Sequence, residues 1–133
     1  MPQELLFPAL ATMIALCIYT VQAAYVGIAR KKYNVEAPKI TGNDDFERVF
    51  RVHYNTLETL PTFLIPLWIF ALLISAGVAG WLGILWSVGR VGYMYGYYKA
   101  ADKRHSYGSW LSSISFIVLI IGSLWGIIRG MLG

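Results

Sequence analysis

LLFPALATMIALCIYTVQAAYVGIA occupies residues 5–29, and only Thr12, Thr20 and Gln22 interrupt its apolar character. A helix of about 25 residues is long enough to cross a hydrocarbon core of about 30 Å with some tilt. Arg30, Lys31 and Lys32 close the run. Three further apolar stretches follow, from Leu57 to Ile74, Trp81 to Tyr98 and Ser109 to Ile128. The pattern predicts an all-α, integral membrane four-helix bundle. Its spans are expected at about 5–29, 57–74, 81–98 and 109–128 in a single membrane domain covering residues 1–133.

Composition agrees with a lipid environment. The chain is 57% hydrophobic and 14% charged, against about 25% charged in a soluble domain. The formal net charge of +4 speaks to orientation here. There is no basic-aromatic repeat, no glycine-rich phosphate loop and no Cys/His metal spacing, so neither nucleic acid nor a metal is an expected partner. Cys17 stands alone within the first run and reads as a small hydrophobe. Glu4 precedes that run and no basic segment does, which is not the pattern of a cleavable signal.

Lys and Arg are spread unevenly. The first link and its flanks carry Arg30, Lys31, Lys32, Lys39, Arg48 and Arg51; the third carries Lys99, Lys103 and Arg104; the second, Ser75 to Gly80, carries none. Links one and three are therefore expected in the cytoplasm, with both termini opposite. The second helix should begin near Asp44 or Asp45, either of which can cap it. Its Pro61 and Pro66 are tolerable where neighbours satisfy the freed carbonyls. No residue from Tyr97 to Tyr107 breaks a helix and Gly108 is the first stop signal, so the third helix is expected to project beyond the membrane. Trp81, Trp110 and Trp125 fall near span ends, as interfacial anchors do.

Two polar stripes stand out. Arg51, Asn55 and Glu58 are spaced by four and three, on one helical face, with Arg48 at its edge; His53 points roughly 200° away from Arg51. Arg90, Tyr93, Tyr97 and Arg104 form the second stripe, and Arg90, deep in a span, needs a partner or a cavity. Each has a plain structural reading: a salt-bridge network for the first, interface tyrosines and a cytoplasmic charge for the second. Together they offer guanidiniums for carboxylates, a carboxylate for an ammonium, an amide and phenols. The matching ligand is a zwitterion with more than one carboxylate and a free amine, such as a peptide-like molecule.

The segment Phe46-Glu47-Arg48-Val49-Phe50-Arg51-Val52-His53-Tyr54-Asn55-Thr56-Leu57-Glu58, continuing to Pro61, resembles the signature of the MAPEG family, membrane-associated proteins in eicosanoid and glutathione metabolism. Gly89-Arg90-Val91-Gly92-Tyr93-Met94-Tyr95-Gly96-Tyr97-Tyr98, followed by Lys103-Arg104, is similar to its third-helix motif. The pattern is nearest to the microsomal glutathione transferase type three and type two branches. The resemblance implies a homotrimer that binds glutathione between subunits and no metal. Arg51, Asn55, Glu58, Tyr93 and Tyr97 would hold glutathione from one subunit, with Arg30 and His53 from its neighbour. Arg104 would stabilise the thiolate, and Lys31 would stand on the electrophile side. Thr59 and His53 depart from the leukotriene C synthase branch, which has tyrosine and glutamine there.

The implied function is a membrane glutathione transferase that conjugates glutathione to hydrophobic electrophiles, with lipid hydroperoxide reduction as a further activity. A non-catalytic lipid-binding scaffold and a glutathione-dependent prostaglandin-type isomerase are the alternatives within the family. A small multidrug transporter is an unrelated one, disfavoured because the first span holds no acid beyond Glu4 at its lip.

Overall fold

The computed structural model describes residues 2–99 and 107–133. After a 3-10 turn at Gln3–Leu5, four helices follow: α1 (Leu6–Tyr33), α2 (Asp44–Leu73), α3 (Ala76–Lys99) and α4 (Tyr107–Leu132). The protein is an all-α four-helix bundle. Helices α2 and α3 form its central pair, each packed on the other and on both α1 and α4.

The helix ends follow local chemistry. Arg30, Lys31 and Lys32 do not end α1; they form its last turn, where cations complement the carbonyl end of the helix dipole. Asn34 then adopts the left-handed conformation that closes the helix. The cap of α2 is Asn43 rather than either aspartate: its side-chain oxygen accepts from the amides of Asp45 and Phe46 at 2.9 and 3.1 Å. Asp44, Asp45 and Glu47 lie in the first turn, at the positive end of the dipole.

Pro61 and Pro66 both lie inside α2. Thr59 and Thr62 hydroxyls bond to carbonyls of the preceding turns, and Ser123 on α4 donates to the Pro66 carbonyl at 2.9 Å.

The segment expected as the second link, Ser75 to Gly80, is mostly helix. Only Ile74 and Ser75 separate α2 from α3. Ala76, Ala79 and Gly80 are buried, and Phe7 of α1 occupies the space a Gly80 side chain would need. Gly108 is likewise not a stop but part of the first turn of α4. A side-chain carbon there would meet the Gly89 carbonyl at 2.6 Å. Small residues at this crossing let the α3 and α4 backbones approach closely.

The core of the bundle gathers Leu60, Phe63, Leu67, Phe70, Trp86 and Leu119. Phe63 and Trp86 stack face to face with centroids 4.0 Å apart. The outer surface is apolar, with Leu72, Ile121 and Trp125 more than 60% exposed. Such a surface needs lipid or another protein as its solvent.

Three helical segments, Gln3–Tyr33, Asp44–Leu73 and Gly108–Leu132, are long and apolar enough to cross a membrane, consistent with an integral membrane topology. The third of the four expected spans differs. Helix α3 has the length, but glycines, tyrosines and Arg90 interrupt its apolar run, and it is not among these segments.

Candidate functional site

Arg51 lies exposed on α2 and lines a cleft of about 570 Å³ with Arg48, Glu47, Tyr54 and, from α3, Tyr97. Glu58 is also exposed, two turns further along α2. Among the described residues the one ion pair is between Arg48 and Asp45. The salt-bridge reading of the α2 stripe is therefore not realised there: neither Arg51 nor Glu58 has a charged partner among the described residues. A guanidinium and a carboxylate in this state are available to an incoming zwitterion.

Asn55 has a different neighbour. Arg90, buried on α3, donates from one terminal nitrogen to the Asn55 side-chain oxygen at 3.0 Å and to the Thr56 hydroxyl at 2.6 Å. Thr56 passes the interaction on, donating to the Val52 carbonyl at 3.0 Å. The guanidinium also lies over the Tyr93 ring, 4.6 Å from its centroid. Arg90 thus stays beside Tyr93 on the stripe and also reaches across to α2, as a buried charge must when its polar partners are there. Because it occupies the Asn55 oxygen, the Asn55 amide hydrogens are the part left for a ligand.

Tyr93 is buried and Tyr97 half-buried, and their rings stack with centroids 5.6 Å apart. The tyrosine stripe therefore exists as spaced, but it borders two cavities. Tyr97 belongs to the cleft of Arg51. Tyr93, with Asn55 and Arg90, lines a smaller polar cavity of about 260 Å³ that also includes Thr59, Thr62, Ser109 and Ser113. Neither Glu58 nor His53 borders either one.

His53 faces away from Arg51, as the spacing predicts. It stacks on Tyr19 of α1 with centroids 4.8 Å apart. Arg30 is held by the α1–α2 link, donating to the carbonyls of Val35 and Lys39 at 3.3 and 2.7 Å with its guanidinium 4.9 Å from the Phe46 ring centroid. Lys31 is exposed beside it. Arg104 lies outside the described residues, as does the expected projection of the third helix that would carry it.

Sequence reasoning missed Thr56 and the hydroxyl-lined cavity. The signal for Thr56 was present, since Arg90 needed a partner and Thr56 adjoins Asn55. The serines of α4 carried none, because nothing in their spacing relates them to α2. Among the described residues, no group of three or more His, Cys, Asp or Glu gathers in metal-holding proximity.

Comparison with known proteins adds an independent line. The model of the MAPEG family matches residues 8–125. An uncharacterized protein of Synechocystis is 50% identical over 125 residues, 94% of this chain and 90% of its own length. Human microsomal glutathione S-transferase 2 is 40% identical over 96 residues, covering 72% of this chain and 65% of the human protein. A probable microsomal glutathione S-transferase of Dictyostelium discoideum is 35% identical over 130 residues, 95% of this chain and 87% of its own.

Proposed function

This chain belongs to the MAPEG family, and from that premise we propose that it is a membrane-bound glutathione S-transferase acting on hydrophobic electrophiles. The observation that carries the proposal is that Arg51, which has no ion-pair partner among the described residues, shares with Tyr97 a roomy cleft that Asp44 and Glu47 also line. Charges at the mouth of a membrane helix are costly without a partner or water. A carboxylate-bearing peptide ligand would supply that partner.

In this reading Arg51 binds a glutathione carboxylate and Glu58 its amine. Asn55 contributes its amide hydrogens, held in orientation by Arg90, and Tyr93 and Tyr97 contribute phenols. Arg30 and His53 act from a neighbouring subunit in a homotrimer, so the complete site needs more than one chain, and Lys31 stands on the electrophile side. Links one and three, and with them the site, lie on the cytoplasmic side of four membrane spans. The uneven placement of Lys and Arg supports that orientation.

The chemistry is nucleophilic. A thiol with a pKa of about 8.5 is mostly protonated at neutral pH. Arg104 stabilises the thiolate by opposite charge. Lowering a thiol by about two units takes roughly 2.7 kcal/mol of differential interaction, within reach of one well-aligned guanidinium. The thiolate sulfur attacks an electrophilic carbon and the leaving group departs with its electron pair. Presented with a lipid hydroperoxide, the same thiolate attacks the terminal peroxide oxygen; the O–O bond breaks, the lipid leaves as its alcohol once protonated, and the glutathione sulfenic acid so formed condenses with a second glutathione to give the disulfide and water.

The test is conjugation of glutathione to an activated aryl chloride by the purified protein in detergent, with sedimentation or mass measurement of the active species. Turnover above the uncatalysed rate by a trimer supports the reading. A stably folded protein that binds no glutathione overturns it, and an active monomer overturns the shared site.

A further inference from the structure

A second charged cavity, of about 420 Å³, lies where the last turn of α1, the first turns of α2 and the end of α3 meet. Among the described residues, Arg48 is the only one it shares with the cleft of Arg51. Lys32, Arg48 and Lys99 bring three positive charges to it, and Asp45, paired with Arg48, brings one negative charge. Among the described residues, two of these cations are therefore left without a carboxylate partner in the cavity.

Its polar atoms point the same way. The Tyr98 hydroxyl and the Arg48 Nε are buried and have no hydrogen-bond partner among the described residues. Both can donate, and a buried donor left unmade is costly. Tyr98 packs near Tyr25, with ring centroids 6.2 Å apart, so the hydroxyl belongs to a fixed wall. Cations and orphan donors together call for an anionic oxygen acceptor.

The position of the cavity says what carries that oxygen. It sits at the charged ends of the helices, where the apolar runs stop and headgroups begin. Its wall includes Ile28, 61% exposed on the outer face of α1, one turn below Lys32. A ligand with an anionic head and an apolar tail matches this order of groups. Basic pockets between membrane helices take anionic lipid headgroups in this way.

We infer that this cavity binds the phosphate of an anionic phospholipid, with Lys32, Lys99, Arg48 and the Tyr98 hydroxyl around the headgroup and an acyl chain along Ile28. The inference does not depend on the transferase reading.

Delipidated full-length protein is titrated with phosphatidylglycerol, with phosphatidylcholine of the same chains and with inorganic phosphate. Native mass spectrometry reads retained lipid, and the thermal midpoint reads stabilisation. Phosphatidylglycerol should be retained at one molecule per chain and raise the midpoint, while the other two do neither. The Lys32→Gln/Lys99→Gln variant should bind it about tenfold more weakly or worse. The Lys32→Arg/Lys99→Arg variant, which keeps both charges, and Lys39→Gln, outside the cavity, should retain it. Tyr98→Phe should weaken it severalfold with unchanged helicity, which guards against a folding defect in the lysine variant. Equal retention of phosphatidylcholine, undiminished binding by the glutamine variant, or the full effect from inorganic phosphate alone would each overturn the inference.

Discussion

Arg90 and Thr56 join α3 to α2 through a hydrogen bond of 2.6 Å inside the bundle. A guanidinium bonded to a hydroxyl in the interior contributes about 1.5–3 kcal/mol. Thr56→Val keeps the shape and removes the acceptor, so it should lower stability by that amount, and Thr56→Ser should not. Thermal unfolding of the solubilised protein checks this; matching midpoints for wild type and the valine variant would show that the bond contributes little.

Arg51 and Glu58 are exposed and have no charged partner among the described residues, so truncating either strands no buried charge. Arg51→Ala and Glu58→Ala should each leave the unfolding midpoint nearly unchanged and weaken glutathione binding tenfold or more. Isothermal titration in detergent measures the second effect. Wild-type affinity in both variants would leave the α2 stripe as a solvated helix face.

Thiolate formation should depend on Arg104 more than on either tyrosine. Arg104→Ala should raise the pH at which bound glutathione shows thiolate absorbance and lower kcat, with a smaller change in affinity. Arg104→Lys should keep part of the activity, since the charge remains without the planar fork. A wild-type titration in Arg104→Ala, beside a shifted one in Tyr93→Phe or Tyr97→Phe, would transfer the role to a phenol.

Orientation is accessible to labelling. In a Cys17→Ser background, Lys39→Cys and Ser75→Cys should react with an impermeant thiol reagent from opposite sides of the membrane, Lys39→Cys from the cytoplasm. Labelling of Lys39→Cys from outside would invert the topology.

At the α3–α4 crossing, a side chain on Gly108 would meet backbone atoms of Gly89 and Tyr93 that cannot swing aside. Gly108→Ala should cost at least the 1–3 kcal/mol typical of overpacking. Gly27→Ala, with open space around it, is the control and should be neutral. Equal midpoints for the two variants would show that the helices can separate without loss.

The bundle was legible because apolar runs long enough to span a bilayer leave few other folds. The faces of α2 were legible for a similar reason: helical spacing alone puts Arg51 opposite His53, and His53 indeed turns to Tyr19. What the sequence concealed depends on contacts between distant segments. Alanine and glycine in residues 76–80 look like a linker, yet they are the small residues that close packing requires. Arg90 lies over Tyr93 as the stripe suggests, but only the proximity of α2 reveals its polar partners, Asn55 and Thr56. The division of the stripes between two cavities has the same origin.

The two-residue connection between α2 and α3 fixes the phase of one helix against the other. One residue inserted at Ile74 or Ser75 that extended either helix would turn α3 against α2 by about 100° and carry Arg90 off Asn55 and Thr56 together. The hairpin is therefore a gauge with no slack, and length changes that the polar first link could absorb should be lethal to the site here. Scanning single-residue insertions along the chain should find this short connection as intolerant as the helix interiors.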